Sequence, residues 1–394
     1  MRKLRVGVWL QEDYRPEEGG GYGYYTQLIS ALNQNEFVNF SIVFLSRSKD
    51  ENIKLKNVYY IKSKFSKTGY PKSQVIIDNF KSVFFKLILK RKYLKINEKN
   101  RVELEQELSR VVDIIYYPQP FCFIDSFPYI YTVWDIGHLS TYSFPEFSKS
   151  DYFESRKKRI DLAQKALMVF CESEAGKQEA IFYYNLNQKR VKVIPMFPSQ
   201  IVNENIKAVK PIQITEQLFF IHYPAQFWSH KNHYNLLLAF KEVLIEYPEL
   251  KLIFTGSDKG NKAYIFEEVK RLKIEKSVID LGFVEVEELK WLYLNSKGLV
   301  MPTFLGPTNM PVLEAAYLGC PVSCSDLKGH REQLGNYANY FNPESYSEIS
   351  QSIKKMLKEN TKGKQLNNKF RVEDTILKLQ EAFDEISGIR NSWK

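Results

Sequence analysis

The chain has 394 residues, of which 44% are hydrophobic and 26% charged, and its net charge is +10. This length and apolar content predict two folded domains of roughly 150–200 residues each and exclude a disordered chain. No apolar run reaches the ~18 residues of a membrane-spanning helix, and residues 1–10 lead directly into a predicted strand, so we expect a cytoplasmic protein without a signal peptide. Four cysteines stand in apolar contexts without metal-finger spacing, which predicts buried free thiols: Cys122, Cys171, Cys320 and Cys324.

Strands and helices alternate through the first half, as in an α/β domain with a mainly parallel sheet. The predicted strands are Leu4–Leu10, Phe40–Leu45, Val58–Ile61, Ile114–Tyr117, Tyr129–Trp134, Ala166–Cys171 and Val191–Ile194. The predicted helices are Thr26–Leu32, Val102–Val111, Tyr152–Lys165 and Ser173–Tyr183. We therefore predict a first Rossmann-like domain over residues 1–198.

Residues 81–101 form a basic segment that holds eight Lys or Arg and one Glu among apolar and aromatic side chains. Such a segment suits an anionic membrane surface, so peripheral contact with the inner face of the cytoplasmic membrane is one interpretation. An ordinary helix with a solvated lysine face is the other. Nucleic acid is not expected, because no recognition motif accompanies the charge.

The second half restarts the alternation after an aperiodic, proline-containing linker at 199–216. Its predicted strands are Leu218–Tyr223, Leu252–Thr255, Val278–Leu281, Leu299–Met301 and Val322–Cys324, and helices are predicted after Asn232, over Tyr346–Lys358 and over Phe370–Ile386. We predict a second Rossmann-like domain over 217–370 and a closing C-terminal helix over 371–394. Two such domains face a cleft, and ligands bind at the carboxyl ends of their strands.

The stretch from Gly306 to Val322 has one charged side chain in its helix, Glu314, surrounded by apolar residues. A buried carboxylate costs several kcal/mol, roughly 2–7 even for an unpaired neutral polar group, unless a ligand hydroxyl or a fixed donor satisfies it. Thr308, Asn309 and Met310 open this helix, where free N–H groups and the helix dipole suit a phosphate. The alternative is a packed helix with one structural glutamate.

This passage resembles the donor-sugar motif of retaining nucleotide-sugar glycosyltransferases of the GT-B fold, the family 4 or group 1 enzymes. In that motif two acids stand eight positions apart, and Glu314 matches the second. The first position is Gly306 here, which implies changed contacts to the transferred sugar. The resemblance implies that Glu314 holds the ribose hydroxyls of the donor.

A second match follows the first strand of the second half, from Ala225 to His233. The family places an Arg and, five residues later, a Lys there to neutralise the donor diphosphate. Lys231 matches the Lys, whereas Gln226 replaces the Arg, and His230 stands beside them. The alternative is an exposed Lys at a helix start. A metal pair of His230 and His233 lacks a third ligand with suitable spacing, so we expect no metal and no cofactor.

Two further matches lie in the first half. The glycine-rich turn 18–25 resembles the family's first turn, and its Gly20 and Gly21 would let the backbone approach the donor closely. Asp135 matches the Asp of the family's His-Asp pair, while Trp134 replaces the His, so His138 is a substitute candidate for contacting the sugar or acceptor. The alternative for Asp135 is a loop cap.

In the second half, Gly256, Phe283 and Val284 fall in regions that border the nucleotide in the family. Neither region, 255–258 or 281–284, is specific by itself. The alternative to a nucleotide contact for Phe283 is a place in the apolar core. Asp-x-Asp, the metal-binding signature of GT-A enzymes, occurs nowhere in the chain.

The resemblance implies a metal-independent, retaining hexosyltransferase that moves a sugar from a nucleoside-diphosphate sugar to a saccharide or lipid-linked saccharide. Capsule or O-antigen synthesis in bacteria is the expected setting. The catalytic candidates are Lys231, Glu314, Asp135 and His138. A non-catalytic GT-B homologue would account for Gly306, Gln226 and Trp134 together. A nicotinamide-dependent oxidoreductase and a basic RNA-binding protein are weaker alternatives, because the first lacks the expected acid and the second rests on charge alone.

Overall fold

A computed structural model describes residues 3–11, 14–15, 20–48, 54–65, 83–148, 150–359, 363–364, 366 and 370–392, with the backbone alone for helical residues 20, 83–96, 150–155 and 391. Two parallel sheets organise these residues, and helices flank both. The α/β class and the pair of Rossmann-like sheets predicted from the alternating pattern are therefore confirmed. The domain boundaries at 198, 216 and 370 stay predictions.

The first sheet has seven parallel strands in the order β3-β2-β1-β4-β5-β6-β7. They are β1 (Leu4–Trp9), β2 (Phe40–Ser46), β3 (Val58–Tyr60), β4 (Ile114–Tyr117), β5 (Tyr129–Val133), β6 (Met168–Cys171) and β7 (Val191–Val193). β4, β5 and β6 are buried at every residue, as continuous apolar runs in a parallel sheet covered on both faces should be.

The helices of the first half are α1 (Gly20–Gln34), α2 (Val83–Val111), α3 (Gly137–Ser140), α4 (Pro145–Ser148), α5 (Ser150–Lys165) and α6 (Glu174–Tyr184). The prediction of a helix over Val102–Val111 was too short, because α2 continues through most of the basic segment. The segment's residues 81–82, and the side chains of 83–96, lie outside the described part of the chain. Its proposed membrane contact therefore has no structural account.

The second sheet has six parallel strands in the order β10-β9-β8-β11-β12-β13. They are β8 (Phe220–Pro224), β9 (Lys251–Thr255), β10 (Val278–Asp280), β11 (Leu299–Met301), β12 (Val322–Ser325) and β13 (Asn339–Phe341). The helices are α7 (His233–Glu246), α8 (Lys262–Leu272), α9 (Val286–Asn295), α10 (Met310–Tyr317), α11 (Lys328–Leu334), α12 (Tyr346–Glu359) and α13 (Val372–Asn391).

The last helix, α13, packs on the first half of the chain. Its Leu379 and Phe383 are fully buried in one apolar cluster with Leu4, Leu28 and Tyr116. The Asp113 carboxylate accepts hydrogen bonds from both Arg5 and Arg390 (both 2.9 Å or shorter). Burial by itself would raise the pKa of Asp113, but the two guanidinium groups hold it well below its ordinary value. The end of the chain therefore closes the domain that its beginning forms.

All four cysteines are buried thiols, as predicted. Among the described residues, no helix is both long and apolar enough to cross a membrane.

Candidate functional site

The strand ends of the two sheets face each other across direct contacts. After β6, the Ser173 hydroxyl donates to the carbonyl of Pro307 (3.0 Å), and the Thr308 hydroxyl donates to the Glu172 carboxylate (2.7 Å). The Glu332 carboxylate of α11 accepts from the backbone N–H groups that open α6. These contacts set the loop 306–309 of the second domain against the first domain, at the place where the parallel topology predicts the cleft.

Lys231 lies in this cleft at the end of a short 3₁₀ helix, Ser229–Lys231. Its Nζ donates to Asn309 Oδ1 (3.2 Å), which joins two positions that are 78 residues apart in the sequence. Burial lowers the pKa of Lys231 to about 8, although the carboxylates of Asp135 and Glu146 oppose that shift. The side chain therefore carries its charge at neutral pH in a partly desolvated place, where an anion gains most from it.

The Asn309 amide is oriented by His330. Asn309 Nδ2 lies 2.9 Å from His330 Nε2, and His330 Nδ1 lies 2.7 Å from the carbonyl oxygen of Ser325. Because a carbonyl oxygen only accepts, Nδ1 carries the proton and Nε2 accepts from the amide. Burial lowers the pKa of His330 to about 4, which keeps the ring neutral. A chain of hydrogen bonds thus directs Asn309 Oδ1 toward the ammonium of Lys231.

The start of α10 is more fully satisfied than a vacant anion site would be. Asn309 is its N-cap by position, but its side chain makes no cap hydrogen bond. Its backbone N–H donates to Gln333 Oε1 (3.0 Å). Met310 is buried in the core of the first domain. The predicted phosphate contacts of Thr308, Asn309 and Met310 stay predictions, and the Asn309 N–H is already occupied.

Glu314 is buried, with 4% of its surface exposed. Its carboxylate accepts hydrogen bonds from the hydroxyl groups of Ser199 and Tyr293. Burial raises the pKa of Glu314, and these two donors oppose the shift. Both alternatives that the sequence left open remain: the fixed donors exist, while a role toward ribose hydroxyls stays a prediction.

Gly306 has φ +147°, a conformation that side chains rarely adopt. A Cβ atom there would overlap the amide of Asn309, which Lys231 and His330 hold in place. A side chain at this position would therefore be strained and would displace the amide that contacts the ammonium.

Asp135 and His138 follow β5 but face different surroundings. Asp135 accepts from Arg156 (2.6 Å) and from the backbone N–H of Gly137 (3.1 Å). Burial would raise the pKa of Asp135, but Arg156 and Arg159 hold it at about 2. His138 is only 2% exposed and packs beside Tyr184, and burial lowers its pKa to about 4. Contact between His138 and a sugar would require this arrangement to change.

His230 belongs to a contact between the two domains. Its backbone N–H and its Nδ1 both lie within 2.8 Å of Glu146 Oε1. Burial lowers the pKa of His230, while the Glu146 carboxylate raises it. This neighbour of Lys231 is therefore held by the first domain, which couples the position of the 3₁₀ helix to the position of that domain.

The remaining donor candidates of the second domain lie in loops after β8, β9 and β10. Gln226 donates to Ser257 (3.2 Å) and accepts from Trp228 (3.0 Å). Gly256 has φ +139°, and a side chain there would strike the Ala225 carbonyl. Phe283 is 46% exposed, so the core alternative was wrong for it.

Val284 packs on a small apolar cluster beneath that loop. In the first domain, Gly20 opens α1, and a side chain on Gly21 would strike Tyr14 and Trp134. Residues 18 and 19 of the glycine-rich turn lie outside the described residues.

Sequence reasoning missed four residues that the fold brings to these contacts: Glu146, Glu172, Ser199 and Tyr293. Glu172 had a usable signal, because it follows a buried strand at the same edge as Asp135. Ser199 had none, because its partner Glu314 is 115 residues away.

Among the described residues, no three His, Cys, Asp or Glu side chains lie close enough together to hold a metal ion.

Comparisons with solved structures identify the architecture. A glycosyltransferase from Rickettsia africae superposes with a TM-score of 0.65 at 14% identity, covering 98% of this chain and 99% of that one. Anabaena HepE, solved in complex with UDP, superposes with a TM-score of 0.64 at 14% identity, covering 97% and 100%. Two parallel Rossmann-like sheets facing a cleft, as in these neighbours, make this a protein of the GT-B glycosyltransferase fold.

Comparisons with sequence families narrow the class. Residues 204–372 match the model of the family described as glycosyl transferases group 1. The matched segment contains both Lys231 and Glu314, so the family resemblance that these residues carry is confirmed for this part of the chain.

Two curated relatives are named as mannosyltransferases. The O-antigen chain mannosyltransferase B of Escherichia coli is 24% identical over 237 residues, which are 57% of this chain and 60% of that protein. A serotype-specific mannosyltransferase, WbdA, of the same species is 27% identical over 128 residues, 32% of this chain and 16% of that protein. The chain therefore spans 60% or less of the length of these two relatives.

Proposed function

We propose that this chain transfers a sugar from a nucleoside-diphosphate sugar to a saccharide or lipid-linked saccharide acceptor. The observation that carries the proposal is the ammonium group of Lys231. It is partly desolvated in the cleft between the two sheets and is hydrogen-bonded to Asn309 at the start of α10. The group 1 domain that contains both residues supports it.

The chemistry follows from charge. When the glycosidic bond of the donor breaks, the leaving diphosphate gains negative charge, so a fixed cation stabilises the transition state more than the ground state. Among the described residues, Lys231 is a cationic side chain in direct contact with the loop 306–309, through Asn309. Gln226 is neutral, and its amide is engaged by Ser257 and Trp228. Lys231 would therefore carry more of this stabilisation than the corresponding lysine does in enzymes that also have the arginine.

Retention of configuration is part of the proposal and rests on the family resemblance. In this mechanism the diphosphate leaves on the face from which the acceptor hydroxyl attacks, with Glu314 holding the ribose and the acceptor on the first domain. A metal-independent hexosyl transfer in bacterial surface polysaccharide synthesis is the proposed setting. The two Escherichia coli mannosyltransferases support that setting.

A non-catalytic role in saccharide or partner binding is the second candidate. Gly306 cannot carry an acid without displacing Asn309, and Gln226 supplies no charge to the diphosphate. A chain of this kind would bind a donor nucleotide but would not turn it over.

Calorimetry with UDP, GDP, ADP, CMP and their common sugar conjugates, without metal, tests the proposal on the wild type and Lys231→Ala. We expect one nucleoside diphosphate to bind, and its affinity to fall at least about tenfold (~1.4 kcal/mol) in the variant. Lys241→Ala, which removes an exposed lysine from α7 of the same domain, should leave the affinity unchanged.

The outcomes separate the candidates. If no nucleotide binds the wild type, the donor site is refuted. If a sugar nucleotide binds but neither hydrolysis nor transfer to lipid-linked or free saccharides follows, the non-catalytic role replaces the enzyme.

Membrane contact through residues 81–101 is proposed for the same setting, because a lipid-linked acceptor lies at a membrane surface. Co-sedimentation with anionic vesicles, lost when Lys90, Arg91 and Lys92 are replaced by Gln, is the expected result. Equal sedimentation of the wild type and the triple variant would refute it.

A further inference from the structure

We propose that Glu172 contacts the transferred sugar of the donor, in place of the acid that the second domain lacks at Gly306. The inference rests on the proposed function and deepens it, since it concerns the sugar end of the same donor site. It makes the first domain, rather than the second, the source of a carboxyl group at this point of the cleft.

The position of Glu172 is the first argument. It follows β6 directly, and β6 pairs with β5 so that Cys171 lies opposite Val133. Glu172 therefore stands beside Trp134 at the carboxyl ends of two neighbouring strands, where ligands of such sheets bind. Its Oε2 accepts from Thr308, two residues after Gly306 and one before Asn309. The carboxyl group thus reaches the loop in which the family motif has its first acid.

The unsatisfied atoms are the second argument. Glu172 is only 5% exposed, yet within the described part of the chain its Oε1 has no hydrogen-bond partner, and neither has the indole N–H of Trp134. A buried polar group without a partner is destabilising. A sugar hydroxyl both donates and accepts, so a sugar bound here would satisfy either group.

The steric exclusion at Gly306 is the third argument. The φ of +147° and the proximity of the Asn309 amide prevent a glutamate at 306 from coexisting with the Lys231–Asn309 contact. A carboxyl group that arrives from the other domain avoids this conflict. Burial raises the pKa of Glu172 to about 8, with Asp135 adding to the shift and Thr308 opposing it. The neutral acid can then donate as well as accept.

The experiment compares each nucleotide with its sugar conjugate, UDP with UDP-glucose and GDP with GDP-mannose, by calorimetry on the wild type, Glu172→Ala and Glu172→Gln. We expect the affinity for the bare nucleoside diphosphate to stay within twofold in all three, which also shows that the variants are folded. The affinity for the sugar conjugate should fall about tenfold in Glu172→Ala. Glu172→Gln, which still donates and accepts hydrogen bonds, should recover most of it, and the KM for the donor should follow the same order.

A structural role for Glu172 makes a different prediction, and Ser173→Ala supplies the control. This variant removes the neighbouring contact between the domains, from Ser173 to Pro307, and leaves the carboxyl group in place. Sugar-conjugate affinity equal to the wild type in Glu172→Ala would overturn the inference. So would an equal loss in Ser173→Ala, because the turn would then act by holding the domains together. Absence of nucleotide binding to the wild type would instead refute the proposed function.

Discussion

At the scale of the residue, the cleft is governed by how burial and neighbouring charges change the protonation of a few side chains. Lys231 keeps an ammonium group close to the limit at which burial would neutralise it. Asp135 stays ionised because two guanidinium groups outweigh its burial. His330 stays neutral and can therefore accept a hydrogen bond from Asn309. The protonation state of each side chain therefore matches the hydrogen bonds that it makes.

Nucleotide affinity should depend on pH through Lys231. The free protein loses the Lys231 proton as pH rises through about 8, and a bound diphosphate favours the protonated form, so affinity should fall above that pH by up to about tenfold per unit. Titration calorimetry of the bound nucleoside diphosphate between pH 6.5 and 9.5 measures this.

Lys231→Met is the matched control for this pH dependence, because its side chain is neutral throughout the range. Its affinity should be low and nearly flat. A decline in Lys231→Met as steep as that of the wild type would assign the titration to another group.

At the scale of the element, short helices are held by groups from the opposite domain. The N-terminus of α6 receives the Glu332 carboxylate, which accepts from the N–H groups of Glu174 and Ala175 (2.8 and 3.0 Å). A carboxylate at this end of a helix satisfies two otherwise unpaired donors and opposes the positive end of the helix dipole. The cap of one domain's helix is therefore also a contact between the domains.

Glu332→Ala should weaken this contact by about 0.5–2 kcal/mol, the range for loss of a helix cap. Faster hydrogen exchange at the amides of Glu174 and Ala175 and a larger radius of gyration in solution are the expected results. Glu267→Ala, at an exposed position of α8, should change neither. Unchanged exchange in Glu332→Ala would show that α6 is capped without the second domain.

At the scale of the whole molecule, the chain runs from the first domain into the second and returns through α13. Thr375 of this helix donates to the carbonyl of Pro195 (2.6 Å), and its apolar face enters the core formed by β1, α1 and β4. The stability of the first domain therefore depends on residues almost 400 positions from its start.

Phe383→Ala should lower the free energy of unfolding of the first domain by about 3–5 kcal/mol, the usual cost of emptying a buried phenylalanine site. Hydrogen exchange should accelerate in β1 and β4 more than in β8 and β9. Leu377→Ala, on the exposed side of the same helix (53% exposed), is the control and should have a small effect. Equal acceleration in both sheets of Phe383→Ala would indicate that the two domains unfold as one unit.

Much of the fold was accessible from local pattern. The buried runs of β4 and β11 were predicted at their observed limits, and both ends of β8 were predicted within two residues. The prediction for α13 began two residues early and ended five residues short. The strand β13 and helices α3, α4, α8, α9 and α11 were missed. β13 is only partly buried at Asn339 and Tyr340, so it lacks the continuous apolar run that marked the equally short β11, and the polar faces of α8 and α11 obscured their helical spacing.

Some residues of the candidate site were predicted from the sequence, and others were found only in the structure. Lys231, Asn309 and Glu314 were selected because residue type and spacing matched a family motif, and the chain folds so that the first two are in contact. Glu172 was not selected, because no family motif includes it, although it follows a buried strand at the same edge as Asp135. Its partner Thr308 is 136 residues away.

The α/β class, the parallel sheets and the glycosyltransferase motif of the second half follow from the sequence, because they depend on side-chain periodicity and on short-range spacing. The contacts across the cleft depended on the tertiary structure. Glu172 meets Thr308, Glu146 meets His230, and Ser199 meets Glu314 only because two sheets place their strand ends face to face. Hydrogen bonds between residues that are 84–136 positions apart leave no periodic trace in a single sequence, and burial, which sets the pKa values of these groups, exists only once the domains are packed.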